Sequence, residues 1–191
     1  MTVSELPQVI TPTPSFRKQV EEHSGQKISA CFQCEKCTNG CPTSFAMDIP
    51  PHKVIRATHM GLKNDILKSD TIWVCASCET CTTRCPNGID IAHIMDTLRQ
   101  ISQKEGVKAS KEDVPKFHKT FVGSIGRWGR VHEMEMAAIY TLKSKGLREL
   151  IRQGQTQGME MRKKGKTKIL PYRFRPSAQV RKIIKSARKR V

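Results

Sequence analysis

The 191-residue chain is 27% charged and only 5% aromatic, and its 34 Lys and Arg against 17 Asp and Glu give a formal net charge of +17. No apolar run approaches the roughly 18 residues of a membrane-spanning helix, and Met1-Thr2-Val3-Ser4-Glu5-Leu6-Pro7 has neither the basic start nor the apolar stretch of a secretory signal. A cytoplasmic location is therefore expected, where thiols stay reduced, so eight cysteines argue for metal rather than disulfides.

The N-terminal residues 1–14 carry three prolines and read as an extended arm. Ser15 is positioned to cap a short helix through Phe16, Val20 and His23, stopped by Ser24-Gly25. After a first group of cysteines, Pro50-Pro51 suits a helix start. Val54, Thr58, Leu62 and Ile66 then fall four apart, with Ile55 and His59 beside them, which is one face of a helix. Gly61 sits inside that pattern and is expected to split it in two. Thr71-Ile72-Trp73-Val74 looks β-like. A second group of cysteines follows. Asn87-Gly88 then marks a turn, Asp90 is a helix cap, and Ile91, Ile94, Met95, Leu98 and Ile101 follow helical spacing until Gly106. Val114, Phe117, Phe121, Val122 and Ile125 form another amphipathic stretch. Gly126 and Gly129 bracket Arg127-Trp128, and Val131, Met134, Ala138 and Leu142 make a further helix. The chain from Arg162 onward is basic, broken by Pro171 and Pro176.

From these signals the fold class is mainly α. The expected organisation is an arm and short helix over 1–24, a cysteine-centred domain over 25–110, a helical partner-docking region over 111–160 and a basic tail over 161–191. Met161 to Val191 holds thirteen Lys and Arg and no Asp or Glu, while residues 1–160 hold 21 basic and 17 acidic residues. The basic excess thus belongs mostly to the tail.

The first cysteine block is Cys31-x2-Cys34-x2-Cys37-x3-Cys41-Pro42, and the second is Cys75-x2-Cys78-x2-Cys81-x3-Cys85-Pro86. The two match position for position, an internal repeat of the bacterial ferredoxin run. Three cysteines two residues apart wrap a loop around one cubane, and the fourth, after the chain turns, reaches the other cluster. The expected ligand sets are Cys31, Cys34, Cys37 and Cys85 for one [4Fe–4S] cluster, and Cys75, Cys78, Cys81 and Cys41 for the other. Pro42 and Pro86 fix the backbone after each crossing ligand. Structural zinc is the competing reading, since two interleaved zinc sites also need eight thiolates. In that case the chain is a nucleic-acid-binding protein with the basic tail as its active feature.

Forty-four positions separate Cys31 from Cys75, and the joining segment looks helical. That suggests the α-helical ferredoxin type found in the iron–sulfur subunits of fumarate reductase and succinate dehydrogenase. Several stretches together resemble the C-type subunit of heterodisulfide reductase: Cys31-Phe32-Gln33-Cys34-Glu35-Lys36-Cys37-Thr38, Val54-Ile55-Arg56, Gly61-Leu62, Ile72-Trp73-Val74-Cys75-Ala76-Ser77-Cys78-Glu79-Thr80-Cys81 and Arg127-Trp128-Gly129-Arg130-Val131. The resemblance implies a non-catalytic relay that holds two [4Fe–4S] clusters. It would pass electrons between a flavin-containing A-type subunit and a cysteine-rich catalytic B-type subunit acting on disulfides. Relatives in bacterial sulfur oxidation would run the same relay with other partner chemistry. No residue is assigned a catalytic role, and neither a Gly-x-Gly-x-x-Gly loop nor the Cys-Cys-Gly motif of the B-type subunit occurs.

The basic tail is read as an arm docking on an acidic protein surface. Val180, Ile183, Ile184 and Ala187 give it a short apolar face suited to a protein groove. Only Tyr172 and Phe174 interleave aromatics, so nucleic acid is not the expected partner. Trp73, two residues before Cys75, is expected to shield a cluster from water. His59 and His93 are read as ordinary helix-face residues.

Overall fold

The computed structural model describes residues 13–165 and 177–190. It is mainly helical, with no strand among the described residues, and the chain divides into two compact units after Lys111. The expected arm over 1–14 lies outside the described residues except for Thr13 and Pro14.

In the first unit, helix α1 (Pro14–Ser24) starts one residue before the expected Ser15 cap, with proline in its first turn, where a missing N–H is harmless. It ends where Gly25 takes a φ of 64° and donates its N–H to the Glu21 carbonyl. α1 buries Phe16 and Val20 and packs on helices α3 (Pro51–His59) and α7 (Ile91–Lys104). Gly61 separates α3 from α4 (Lys63–Lys68), as the pattern predicts, and its φ of 77° is left-handed. A Cβ there would also lie 2.6 Å from the Thr13 nitrogen. No other residue satisfies both constraints.

α7 is the central support. Asp90 caps it, its carboxylate accepting the His93 N–H at 2.9 Å. All five residues of the expected stripe, Ile91, Ile94, Met95, Leu98 and Ile101, are buried, together with Ile66, Leu67 and Ile72 from α4 and the following segment. Each such side chain contributes about 1.5–3 kcal/mol by leaving water.

The segment Thr71–Val74 corrects the sequence expectation: it is a helical turn, α5, not a β-like run. β-branched composition favours a strand only where a pleated neighbour exists. Here the Asp48 carboxylate instead accepts the Asp70 and Thr71 N–H groups, each at 3.0 Å, and the Thr71 hydroxyl at 2.7 Å. Those are the amides a helix start leaves unpaired.

The second unit holds α8 (Asp113–Trp128), α9 (Glu133–Ser144), α10 (Leu147–Gln153), a π-type turn (Gly154–Gly158), α11 (Met159–Lys163) and α12 (Ser177–Arg190). Gly126 does not interrupt α8; the helix ends at Gly129, whose φ is 82°. The Arg127-Trp128 motif is a corner. Glu135 accepts the Trp128 indole N–H at 2.6 Å and pairs with Arg127 at 2.8 Å, while His132 caps α9 by accepting the Glu135 N–H. Phe117 meets Tyr140 edge-on, ring centroids 5.6 Å apart. The expected break at Pro171 lies outside the described residues, and in α12 Val180 and Ile184 are half-buried while Ile183 is exposed. Among the described residues no helix is long and apolar enough to cross a membrane.

Candidate iron–sulfur centre

All eight cysteines are free thiols carried on short, irregular backbone. The first block runs from a 3₁₀ turn (Ile28–Ala30) into helix α2 (Lys36–Asn39), and the second from α5 into α6 (Thr80–Thr83). Within each block the chain turns by an unusual route. Gln33 and Glu35 adopt φ of 56° and 63°, and Ser77 and Glu79 adopt 49° and 59°. Among the described residues these are the only non-glycines in the left-handed region, and they occupy matching positions two and four residues after Cys31 and Cys75. Each costs about 1–2 kcal/mol. The strain curls each loop so that three side chains of a block face one space.

Two cavities result. Cys31, Cys34 and Cys37 line the first with Cys85 from the other block; Cys75, Cys78 and Cys81 line the second with Cys41. The spacing thus brings together the same eight residues it singled out, three from one block and one from the other. Ile91, at the start of α7, lines both cavities. The blocks also grip each other directly. The Asn87 amide donates to the Ala30 carbonyl, and Arg84, next to Cys85, lies over Gly40, next to Cys41, so that a Cβ on Gly40 would meet its guanidinium.

The donor set fits cubane clusters rather than single ions. Each cavity offers four sulfurs around an apolar space bounded by Ile55, Ile89 and Ile91 or by Met47, Ala92 and Met95. Among the described residues no three Cys, His, Asp or Glu side chains converge as the ligands of one ion do. Tetrahedral zinc, with sulfurs about 2.3 Å from the metal, requires such convergence.

Protonation of the thiols follows burial. Burial pushes the Cys37 and Cys75 thiols up, and burial together with the neighbouring Cys75 pushes Cys81 up to about 11. At Cys75 the Ser77 N–H and the Arg99 guanidinium partly offset that rise, and Asp96 adds to it. Exposed Cys78 moves the other way, its thiol hydrogen-bonded with the Thr80 hydroxyl and its thiolate favoured by the Thr80 amide. Metal loading must therefore displace protons from the buried sulfurs.

Several residues that sequence pattern does not reveal shape the site. Gln33 donates its amide N–H to the Cys31 sulfur at 3.2 Å. His52 lines the first cavity, hydrogen-bonds the Thr38 hydroxyl through Nδ1 at 2.8 Å and lies 3.5 Å from Glu35 through Nε2. Arg99 reaches from α7 behind the second loop, donating to the Ile72 and Cys75 carbonyls. Trp73, by contrast, lines neither cavity; it is buried in the core, and among the described residues its indole N–H has no hydrogen-bond partner. Water exclusion falls to the isoleucines and methionines named above. His59 and His93 are exposed.

Comparison with known proteins now bears on this geometry. Residues 27–89, spanning both cysteine blocks, match the family described as a 4Fe-4S dicluster domain. The C-type iron–sulfur subunit of the CoB–CoM heterodisulfide reductase of Methanopyrus kandleri is 31% identical over 107 residues, 56% of this chain and 53% of that protein. Residues 27–89 are thus a 4Fe-4S dicluster domain, and the chain is similar to C-type iron–sulfur subunits of heterodisulfide reductases. Its counterpart in the H(2):CoB-CoM heterodisulfide,ferredoxin reductase of Methanothermobacter marburgensis is 28% identical over 135 residues, 71% of this chain and 70% of that protein. A C-type iron–sulfur subunit of the Methanocaldococcus jannaschii CoB–CoM heterodisulfide reductase is 42% identical over 81 residues, 42% of this chain and 43% of that protein. The chain thus spans about half the length of two of these curated relatives.

The dicluster domain decides between iron–sulfur and zinc. The chain carries two [4Fe–4S] clusters, and its similarity to iron–sulfur C-type subunits supports a role in electron transfer.

Proposed function

We propose that the chain works inside a larger complex and relays single electrons between a flavin-containing subunit and a cysteine-rich catalytic subunit acting on disulfides. In this reading Cys31, Cys34, Cys37 and Cys85 hold one cluster, and Cys75, Cys78, Cys81 and Cys41 hold the other. The observation that carries it is the pair of four-cysteine cavities sharing Ile91 as a common wall. When bound, the clusters supply reversible one-electron storage. The chain's own work is to fix their positions, exclude water and present docking surfaces.

Partner contact is assigned to the second unit. Its helices expose Leu142, Leu147, Ile151 and Met159, and Arg181, Lys182 and Lys185 stand exposed on α12. That combination of apolar and cationic surface suits an acidic partner with its own apolar patch.

The test is anaerobic purification of the full chain with its co-purifying subunits. About eight irons and eight sulfides per chain, with two interacting paramagnets in EPR after dithionite reduction, is the expected result. Reduction of these clusters through a co-purified flavoprotein, and their oxidation by the disulfide-active subunit, completes it. A chain that holds two clusters yet exchanges electrons with neither partner would sink the relay.

A further inference from the structure

The two cluster sites repeat in sequence but differ in what stands behind them. At the first, the lead-in carbonyl of Ala30 is met by the neutral amide of Asn87, and the residue two after Cys31 is Gln33, whose amide faces the Cys31 sulfur. At the second, a cation bonds to carbonyls of the lead-in and loop. The Arg99 side chain is only 12% exposed and donates to the Ile72 and Cys75 carbonyls, to the Ser77 hydroxyl at 3.2 Å and to Asp96 at 2.8 Å. Ser77 matches Gln33 in the repeat and donates its hydroxyl to Asp96 at 3.2 Å.

Other charges do not reproduce this arrangement. Glu35, Lys36 and His52 line the first cavity, with Glu35 and Lys36 of opposite sign, while among the described residues no charged side chain lines the second. Arg84 is exposed and lies where the blocks cross, common to both. Among the described residues Arg99 is therefore the half-buried cation particular to the Cys75 loop. It bonds directly to the backbone carbonyl of Cys75, one of the proposed ligands of that site.

We infer that Arg99 is a positioning and tuning residue that raises the reduction potential of the cluster held by Cys41, Cys75, Cys78 and Cys81, with Asp96 moderating it. The inference rests on the ligand assignment proposed above. Adding one electron adds one negative charge to a cluster. A nearby desolvated guanidinium stabilises that reduced form, and net charge and hydrogen bonding around the sulfurs set such potentials. The fork onto two carbonyls also holds the cation at a fixed distance from the loop.

The experiment is an anaerobic dithionite titration of the full chain followed by EPR, with iron counted in every variant. C78S first marks which reduction step belongs to the second site, by altering or abolishing it. If C78S leaves both steps untouched, the ligand assignment fails and the Arg99 question is separate. Given that mark, R99Q is expected to shift the marked step to lower potential and leave the other in place. D96N is expected to shift the marked step upward, and R99K to stay near the wild-type value. Full iron content with an unmoved step in R99Q, or equal movement of both steps, overturns the inference. Should R99Q lose iron, D96N decides, because it keeps the Arg99 fork: no upward shift of the marked step overturns the inference equally.

Discussion

Up to Lys111, apolar side chains from Phe16 to Ile101 are buried among the described residues, and Ile55, Ile89, Ile91, Ala92 and Met95 among them line two cavities of thiols. From Glu112 on, the buried side chains described are Thr120, Ser124, His132 and Thr141, all polar, while Phe117, Phe121, Leu142, Leu147 and Ile151 are exposed. The first region spends apolar residues on enclosing something; the second leaves them uncovered. A helix contributes to folding chiefly by burying its apolar face. The first unit therefore completes its core with cofactors, and the second leaves an apolar surface that the proposed reading assigns to another protein.

The largest expected effect breaks the molecule along that line. Anaerobic removal of iron leaves Gln33, Glu35, Ser77 and Glu79 in left-handed conformations costing about 1–2 kcal/mol each with nothing to hold them there. Hydrogen exchange is expected to accelerate many-fold over residues 28–48 and 71–90 and to remain unchanged over α8 and α9. Equal acceleration in both regions would show that the second unit depends on the clusters and would break the comparison.

Next in size is Gly61→Ala. It forces a Cβ onto the Thr13 backbone and a side chain into a φ of 77°, and backbone cannot swing aside as a flexible side chain does. A loss of about 2–4 kcal/mol is expected from the denaturation midpoint of the cluster-loaded chain. A change under about 0.5 kcal/mol would show that the Thr13–Gly61 contact has no weight in the first unit's core.

Asp48→Asn sharpens the same region more gently. Burial disfavours the Asp48 carboxylate, but the Thr71 hydroxyl and the Asp70, Thr71 and Ile49 amides outweigh it and hold its pKa below the ordinary 3.8. A depressed folded pKa means stability present above the unfolded value and lost as pH falls through the folded one. The wild-type chain is thus expected to lose this contribution below about pH 4. Asp48→Asn, which cannot ionise, is expected to be about 1–2 kcal/mol less stable at neutral pH, allowing for the exposure of the group, and to show a flatter acid limb. An unchanged pH profile would remove Asp48 as the cap of α5.

The difference between the regions also explains what is legible in the sequence alone. The repeat of Cys31 to Pro42 at Cys75 to Pro86 carries the site, because a cubane dictates the spacing of its ligands, and the stripe from Ile91 to Ile101 carries α7, because one buried face imposes period 3.6. Thr71–Val74 misleads because its helical state depends on a carboxylate 22 residues away at Asp48, and no local propensity contains that. Arg99 and His52 are hidden for a related reason. Each acts on a loop distant in sequence, and a lone basic residue on an amphipathic helix looks the same whether it faces water or a cluster loop.

The smallest expected effect on the chain itself is the one that tests the second region. Ile151 is 53% exposed on α10, so Ile151→Ser removes little buried surface and is expected to change stability by no more than about 0.5 kcal/mol. Its iron content and EPR signals are expected to match the wild type, because α10 contributes no residue to either cavity. Retention of co-purifying subunits, in contrast, is expected to fall several-fold, since truncating a side chain in a desolvated contact commonly costs about 1 kcal/mol or more, roughly five-fold in affinity. The separation of those two readouts is what distinguishes an uncovered partner face from a loosely packed one. In a loosely packed unit the exposed Ile151 would serve no contact, and complex assembly would be as indifferent to the substitution as the fold is.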